Sequence, residues 1–360
     1  MFSNTPASCP TNETASKEMK VLRKKKTAIA LIVFATAVIT ALLWCSPSKP
    51  NLPDPVFSGK HASAWANQFI LDESFEAHEA LRSIGEPAVP FLIPNLHRKN
   101  SWFNAAYVKL WPLFPATLKS RLEQPILATT ARMRGVVALR DMGTNARPAV
   151  GALIERLGDK DATVRLHSAI ALGNIGPDAK SAVPALKPFL REKHTVRVYT
   201  ANALWKIERN AQEVLPILEG GVREEQAPFR WAAAVFLGEM GPAAEKAIPA
   251  LIEAAKAADK ETASCAVQAL AEISPATVPT LIEKLNDPDP AMRISAATAL
   301  GKVGSTAKDA IPALTRLLND NARGMPTIMG REYGYESVSN AAAHAIERID
   351  RGAANITVTK

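Results

Sequence analysis

Cysteine is almost missing from this chain: Cys9, Cys45 and Cys265 are the three in 360 residues. They lie far apart with no Cys-x-x-Cys, which excludes a disulfide framework and a zinc finger. Aromatic residues are scarce as well, at 6%, and that argues against a β-sandwich or barrel, whose strands draw on aromatic and β-branched side chains. No His-Glu-x-x-His, Gly-x-Ser-x-Gly or phosphate-cradling glycine loop occurs, and His61, His78, His97, His167, His194 and His344 show no metal-ligand spacing. Catalytic, cofactor and metal sites are therefore not expected, and an enzyme is not the expected class. What remains is an alanine-rich chain with 47% apolar and 22% charged residues. It can bury a core, and helices that pack closely are the expectation.

Forty-three basic against 35 acidic residues give a net charge of +8. Half of that excess sits in residues 1–26, where Lys17, Lys20 and Arg23 to Lys26 outweigh Glu13 and Glu18. Residues 27–45, TAIALIVFATAVITALLWC, have no charge and no proline. As a helix they would span about 28 Å, close to the hydrocarbon thickness of a bilayer. A single transmembrane helix is expected there, behind a basic cytoplasmic tail, with the rest of the chain outside the cytoplasm (periplasmic in a bacterium). The competing reading is a cleaved signal peptide, whose apolar core is usually shorter. Cys45 follows Leu42, Leu43 and the bulky Trp44, which suits a membrane-boundary cysteine better than a lipid-attachment site. Residues 46–60 contain four prolines before Ser58 and are expected to be an extended linker, with order beginning near Lys60.

Residues 61–350 carry a repeat. Leu81, Leu139, Leu172, Leu204, Leu237, Leu270 and Leu300 head similar segments, such as HSAIALGNIG and SAATALGKVG. A second marker follows each leucine at a fixed offset: Pro90, Gly151, Pro184, Pro216, Pro249, Pro279 and Pro312. Each unit reads as a helical hairpin. The first helix starts near the proline, which is tolerated in a first turn. A polar turn follows, where Asp161 and Asp289 are placed to cap the second helix. That helix buries a stripe such as Val164, Ala169, Leu172 and Ile175, and Gly85, Gly143, Gly176, Gly241 or Gly304 ends it. Glu208 and Ser274 replace the glycine in two units, so those turns should differ. One hairpin cannot bury its own face, so the units must stack into an all-α solenoid.

The pattern D-x-x-V-R-x-x-A-A-x-A-L-G-x-I-G followed by A-V-P-A-L, best seen in residues 159–186 and 287–314, resembles HEAT repeats of the short bacterial kind shared with phycobilin lyase subunits. FSGKHASAWANQFI, residues 57–70, resembles the stretch before the first repeat in membrane-anchored bacterial HEAT-repeat proteins. The resemblance implies a scaffold that binds protein or peptide partners on its concave face. Two alternatives are an enzyme-associated role resembling bilin lyase subunits and nucleic-acid binding by a HEAT-like solenoid. The mild charge of the repeats and the membrane segment argue against nucleic acid.

Arg132, Arg165, Arg197, Arg230 and Arg293 form a ladder seven residues before their leucines. By the resemblance they bond Asp159, Asp161, Asp287 and Asp289 within and between units. Also by the resemblance, the second helix lines the concave side, where positions six, five and two before each leucine would face outward. These are Leu166, His167 and Ile170, then Val198, Tyr199 and Asn202, then Trp231, Ala232 and Val235, then Ser264, Cys265 and Gln268, then Ile294, Ser295 and Thr298. None is basic, which suits a peptide better than a phosphate backbone. Tyr199 and Trp231 are the expected anchors, with Asn202, Val235 and Gln268 beside them. The array has two irregularities, an insertion over 97–125 and a polar loop over 319–335 ahead of a last helix, 336–349, and a tail, 351–360. The insertion is rich in aromatics, and its Trp102 and Trp111 either fill an irregular joint or add contact surface.

Overall fold

The computed structural model describes residues 53–99, 101–120, 122, 124–192, 194–224, 229–324, 327–328, 331–332 and 336–358. The expected basic tail and transmembrane helix lie outside the described residues. None of the described helices is long and apolar enough to cross a membrane.

The helices in chain order are α1 (Ala62–Asp72), α2 (Phe75–Ile84), α3 (Val89–Leu96), α4 (Trp102–Leu110), α5 (Ala116–Lys119), α6 (Ala128–Met142), α7 (Val150–Arg156), α8 (Ala162–Ile175) and α9 (Val183–Leu186). They continue with α10 (His194–Glu208), α11 (Ala211–Arg223), α12 (Arg230–Met240), α13 (Ile248–Ala254), α14 (Lys260–Ile273), α15 (Val278–Lys284), α16 (Pro290–Val303), α17 (Ile311–Arg316) and α18 (Val338–Val358). Two compact units share this chain. One holds Arg98–Thr130; the other joins Asp54–His97 to Ala131–Lys360 and contains the repeats.

In the repeat unit all seven marker leucines are buried. Asp161 accepts the Thr163 and Val164 amides at the start of α8, and Asp289 does the same for Ala291 at the start of α16, with Pro290 in the first helical position. Gly176 and Gly304, at φ 79° and 71°, end these helices. The two turns without glycine do differ. The chain reverses at Arg209, with φ 55°, and at Ser274 in extended backbone. After Arg209 there is no intervening 3-10 stretch, so α11 begins at Ala211 and Pro216 lies inside it, not near its start as the repeat pattern implies.

Alanine and glycine set the spacing between units. A Cβ placed on Gly173 would lie 2.7 Å from the Ala203 Cα, and one on Gly301 would lie 3.1 Å from the Ala345 Cα. Successive second helices therefore meet backbone to backbone. Gly173→Ala should cost about 1 to 3 kcal/mol, because the rigid α8–α10 contact must open. Chemical denaturation checks this; an unchanged midpoint would mean that the contact yields easily.

Both ends of the array are more ordered than the sequence suggests. Order begins before Lys60: Val56–Phe57 pairs with Lys60–His61 as a short antiparallel ribbon, β1 and β2. Asp54 binds the amide and hydroxyl of Ser63, and the Trp65 indole donates to the Phe57 carbonyl at 2.9 Å. At the far end the expected loop carries two ribbons. Arg323–Gly324 (β3) pairs with Glu336–Ser337 (β6), and Thr327–Ile328 (β4) with Arg331–Glu332 (β5). Gly324 is required where β3 crosses the start of α16, since a Cβ there would lie 2.6 Å from the Ala291 nitrogen. The last helix starts at Val338 and runs to Val358, through most of the expected tail.

Candidate partner-binding groove

The arginine ladder is internal. Arg132 Nε donates to Asp159 Oδ2 at 2.7 Å and its Nη2 to Oδ1 at 3.2 Å, with both side chains buried. Arg197 reaches Glu224 at 2.5 Å and Arg293 reaches Asp320 at 3.0 Å. The acid thus comes from the turn of the following unit. Within the unit the contacts go to backbone instead of carboxylates: Arg165 donates to the Asp159 and Lys160 carbonyls, and Arg230 to the Val222 carbonyl. Asp159 and Asp287 also accept the amides of Asp161 and Asp289, which shapes each turn before its cap. Burial pushes the Asp159 pKa up. The Arg132 hydrogen bond, the Asp161 amide and the charges of Arg132 and Arg156 outweigh it, and the carboxyl titrates below its ordinary value.

The expected outward face is partly closed. Gln268 is 3% exposed and donates to the Ser295 carbonyl at 2.7 Å, while the Ser264 and Ser295 hydroxyls meet at 2.6 Å. Val198, Asn202, Ala232, Cys265 and Ile294 are buried too. The outward reading treated each second helix alone. With neighbours in backbone contact through small residues, eight of these fifteen positions fall into the seam between helices. Leu166, His167, Ile170, Tyr199, Trp231, Val235 and Thr298 keep partial exposure. Tyr199 packs edge-on against Phe236, with ring centres 5.1 Å apart, and against Phe229, which in turn meets Trp231. Burial raises the Tyr199 phenol pKa.

In the Arg98–Thr130 unit, Trp111 packs edge-on against Tyr107 at 5.7 Å and near Phe114 at 6.0 Å. Trp102, just after the Ser101 cap of α4, is 63% exposed. The two tryptophans therefore have different surroundings, one in an aromatic cluster and one at the surface.

A cavity of about 700 Å³ lies at the C-terminal ends of α2, α6, α8 and α10. Arg82, Arg140, Lys206 and Arg209 line it with His78, Asp141 and Asn174. A smaller cavity of about 70 Å³ shares Gly173, Asn174 and Lys206 with it and continues to Ile170, Tyr199, Asn202 and Phe236. The two adjoin at these three residues, and the pair of them is the groove. Arg140 holds Asp141 through two bonds, at 2.7 and 3.1 Å, and its Nη1 lies 3.1 Å from His167 Nδ1. Burial and the Arg140 charge lower the His167 pKa, with Asp141 acting against them. The ring is thus neutral at neutral pH, and its Nδ1 accepts from Arg140. Asn202 Nδ2 reaches Glu239 at 3.4 Å, while the buried Oδ1 has no hydrogen-bond partner among the described residues.

Sequence reasoning missed Arg82, Arg140, Lys206 and Arg209. Their signal was a cation in or just past the last turn of the second helix, one to five residues after the marker leucine. Among the described residues, no group of three or more His, Cys, Asp or Glu side chains could hold a metal ion.

The HEAT-repeat family model matches residues 191–271 and 248–325. No curated protein matches the chain. Similar solved structures include the complex of CpcE and CpcF of phycocyanin lyase from Nostoc sp. PCC7120, at 18% identity and TM-score 0.43, covering 76% of this chain and 99% of that one. An engineered protein aligns at 19% identity and TM-score 0.40, over 80% and 78% of the two chains. Human deoxyhypusine hydroxylase in complex with glycerol aligns at 18% identity and TM-score 0.30, over 80% and 96%. The HEAT-repeat model thus falls on the stacked helical hairpins of residues 191–325, within an array of helical hairpins.

Proposed function

We propose that this chain is a membrane-anchored scaffold whose repeat unit holds an extended segment of a protein partner in the groove along α8, α10 and α12. The observation that carries this reading is the buried, unpartnered Oδ1 of Asn202 in a groove walled by Tyr199 and Phe236. A buried acceptor without a donor is costly, and a peptide N–H would satisfy it. The aromatic edge formed by Tyr199, Phe229 and Trp231 supplies the kind of rigid, amphipathic surface that dominates protein recognition. Trp231→Ala should weaken crosslinked capture of the partner at least fivefold while moving the melting temperature little, because Trp231 is only half-buried. Unchanged capture would remove it from the contact surface.

The anchor is residues 27–45, with Arg23 to Lys26 holding the N-terminus in the cytoplasm. Protease added outside spheroplasts should digest the repeats and spare residues 1–26. Complete protection of the repeats would contradict this orientation.

A further inference from the structure

The charge around the larger cavity narrows the partner further, and we propose that the cavity receives an acidic segment of the bound protein, with Arg209 as its leading contact. This rests on the groove reading above and adds to it the chemical character of the occupant.

Four cations, Arg82, Arg140, Lys206 and Arg209, line the cavity against one carboxylate, Asp141. Asp141 is already bound by Arg140 at 2.7 Å and lies 3.3 Å from His78. Lys206 leans on Glu239 at 3.1 Å and Arg82 on Glu79 at 3.6 Å. Solvent-accessible pairs of this kind contribute little, so a ligand carboxylate can replace either partner. Arg140 and Lys206 also complement the negative end of their own helices. Arg209 shares the helix-end position but, unlike them, has no acidic partner among the described residues. It lies past the end of α10, and its guanidinium sits over the Trp205 ring, 5.2 Å from the centroid.

Its backbone is a second, independent sign. Five other units turn at a glycine of positive φ, whereas here an arginine takes φ 55°. A side chain carrying a Cβ is strained in that conformation, and strain of this sort gathers at functional sites. The rest of the groove favours a peptide over nucleic acid. Beyond the cations it presents Ile170, Tyr199 and Phe236, and the Asn202 oxygen needs a donor, which a peptide N–H supplies and a phosphodiester does not.

The test uses the full-length chain and a labelled peptide that alternates glutamate with leucine and phenylalanine, with glutamine and lysine versions as comparisons. The acidic peptide should bind with a salt-sensitive anisotropy change and alter Trp205 fluorescence. The glutamine version should bind about tenfold more weakly. Arg209→Gly should lose about the same factor without lowering the melting temperature, since it relieves the left-handed strain; Arg209→Asn, which also tolerates that conformation, is the second variant. Equal binding of the glutamine peptide, or full affinity in both variants, overturns the acidic preference and leaves the groove reading standing. Binding of oligothymidylate or inorganic phosphate in place of the acidic peptide overturns it in favour of a phosphate site. Binding of none of these probes overturns both readings.

Discussion

Asp159→Ala is expected to cost about 3 to 5 kcal/mol in unfolding free energy, because it leaves the Arg132 guanidinium buried without its counter-charge. The effect should exceed that of removing the other rungs. Arg197 with Glu224 and Arg293 with Asp320 are more open to water, where pairs contribute less. The wild-type protein should also show a matching pH dependence. The folded-state pKa of Asp159 is depressed, so its stabilisation is fully present above the ordinary aspartate value and is lost as pH falls through the lower folded value. Urea titrations at stepped acid pH should show a steeper slope in the wild type than in Asp159→Ala, where the depressed Asp289 carboxyl still contributes. A parallel slope in both would assign acid sensitivity to other groups.

Leu172→Ala comes next, at about 2 to 5 kcal/mol. Leu172 is fully buried in α8, beside Gly173, whose contact with Ala203 leaves the neighbouring helix no room to shift inward. The cavity should therefore stay open, toward the upper part of that range. In an array where each unit touches mainly its neighbours, loss should spread from α8 to α6 and α10 before it reaches α16. Hydrogen exchange resolved along the chain should show this gradient; simultaneous loss of protection in every unit would contradict it.

The sequence showed the architecture clearly because each unit repeats the same physical requirements. The marker leucine fills the core in all seven units, a glycine of positive φ ends the second helix in five, and an aspartate caps that helix in several, so overlapping signals reinforce one another. The caps at Asp161 and Asp289 and the burial of Leu172 followed directly. The groove was harder to see. Whether Gln268 or Tyr199 faces outward depends on how close the next helix lies, and that distance is set by Gly173, Gly238 and Gly301 acting across units. Arg209 was hidden because its unit lacks the cap glycine, so the turn moved one residue past the expected position. The ladder's bonds between units, such as Arg132 with Asp159, were expected from the resemblance, but which acid meets which arginine is decided only when the units stack.

The central claim, that the groove along α8, α10 and α12 is where a partner segment lies, is tested most directly by site-specific photocrosslinking in intact membranes. A photoreactive side chain would be placed at Trp231 and Phe229, on the aromatic edge next to the groove residue Tyr199, and at Glu253 in α13, an exposed position on a first helix. The account predicts a discrete adduct from Trp231 and Phe229 that is absent from Glu253. Adducts of equal yield from all three positions, or from Glu253 alone, would contradict it.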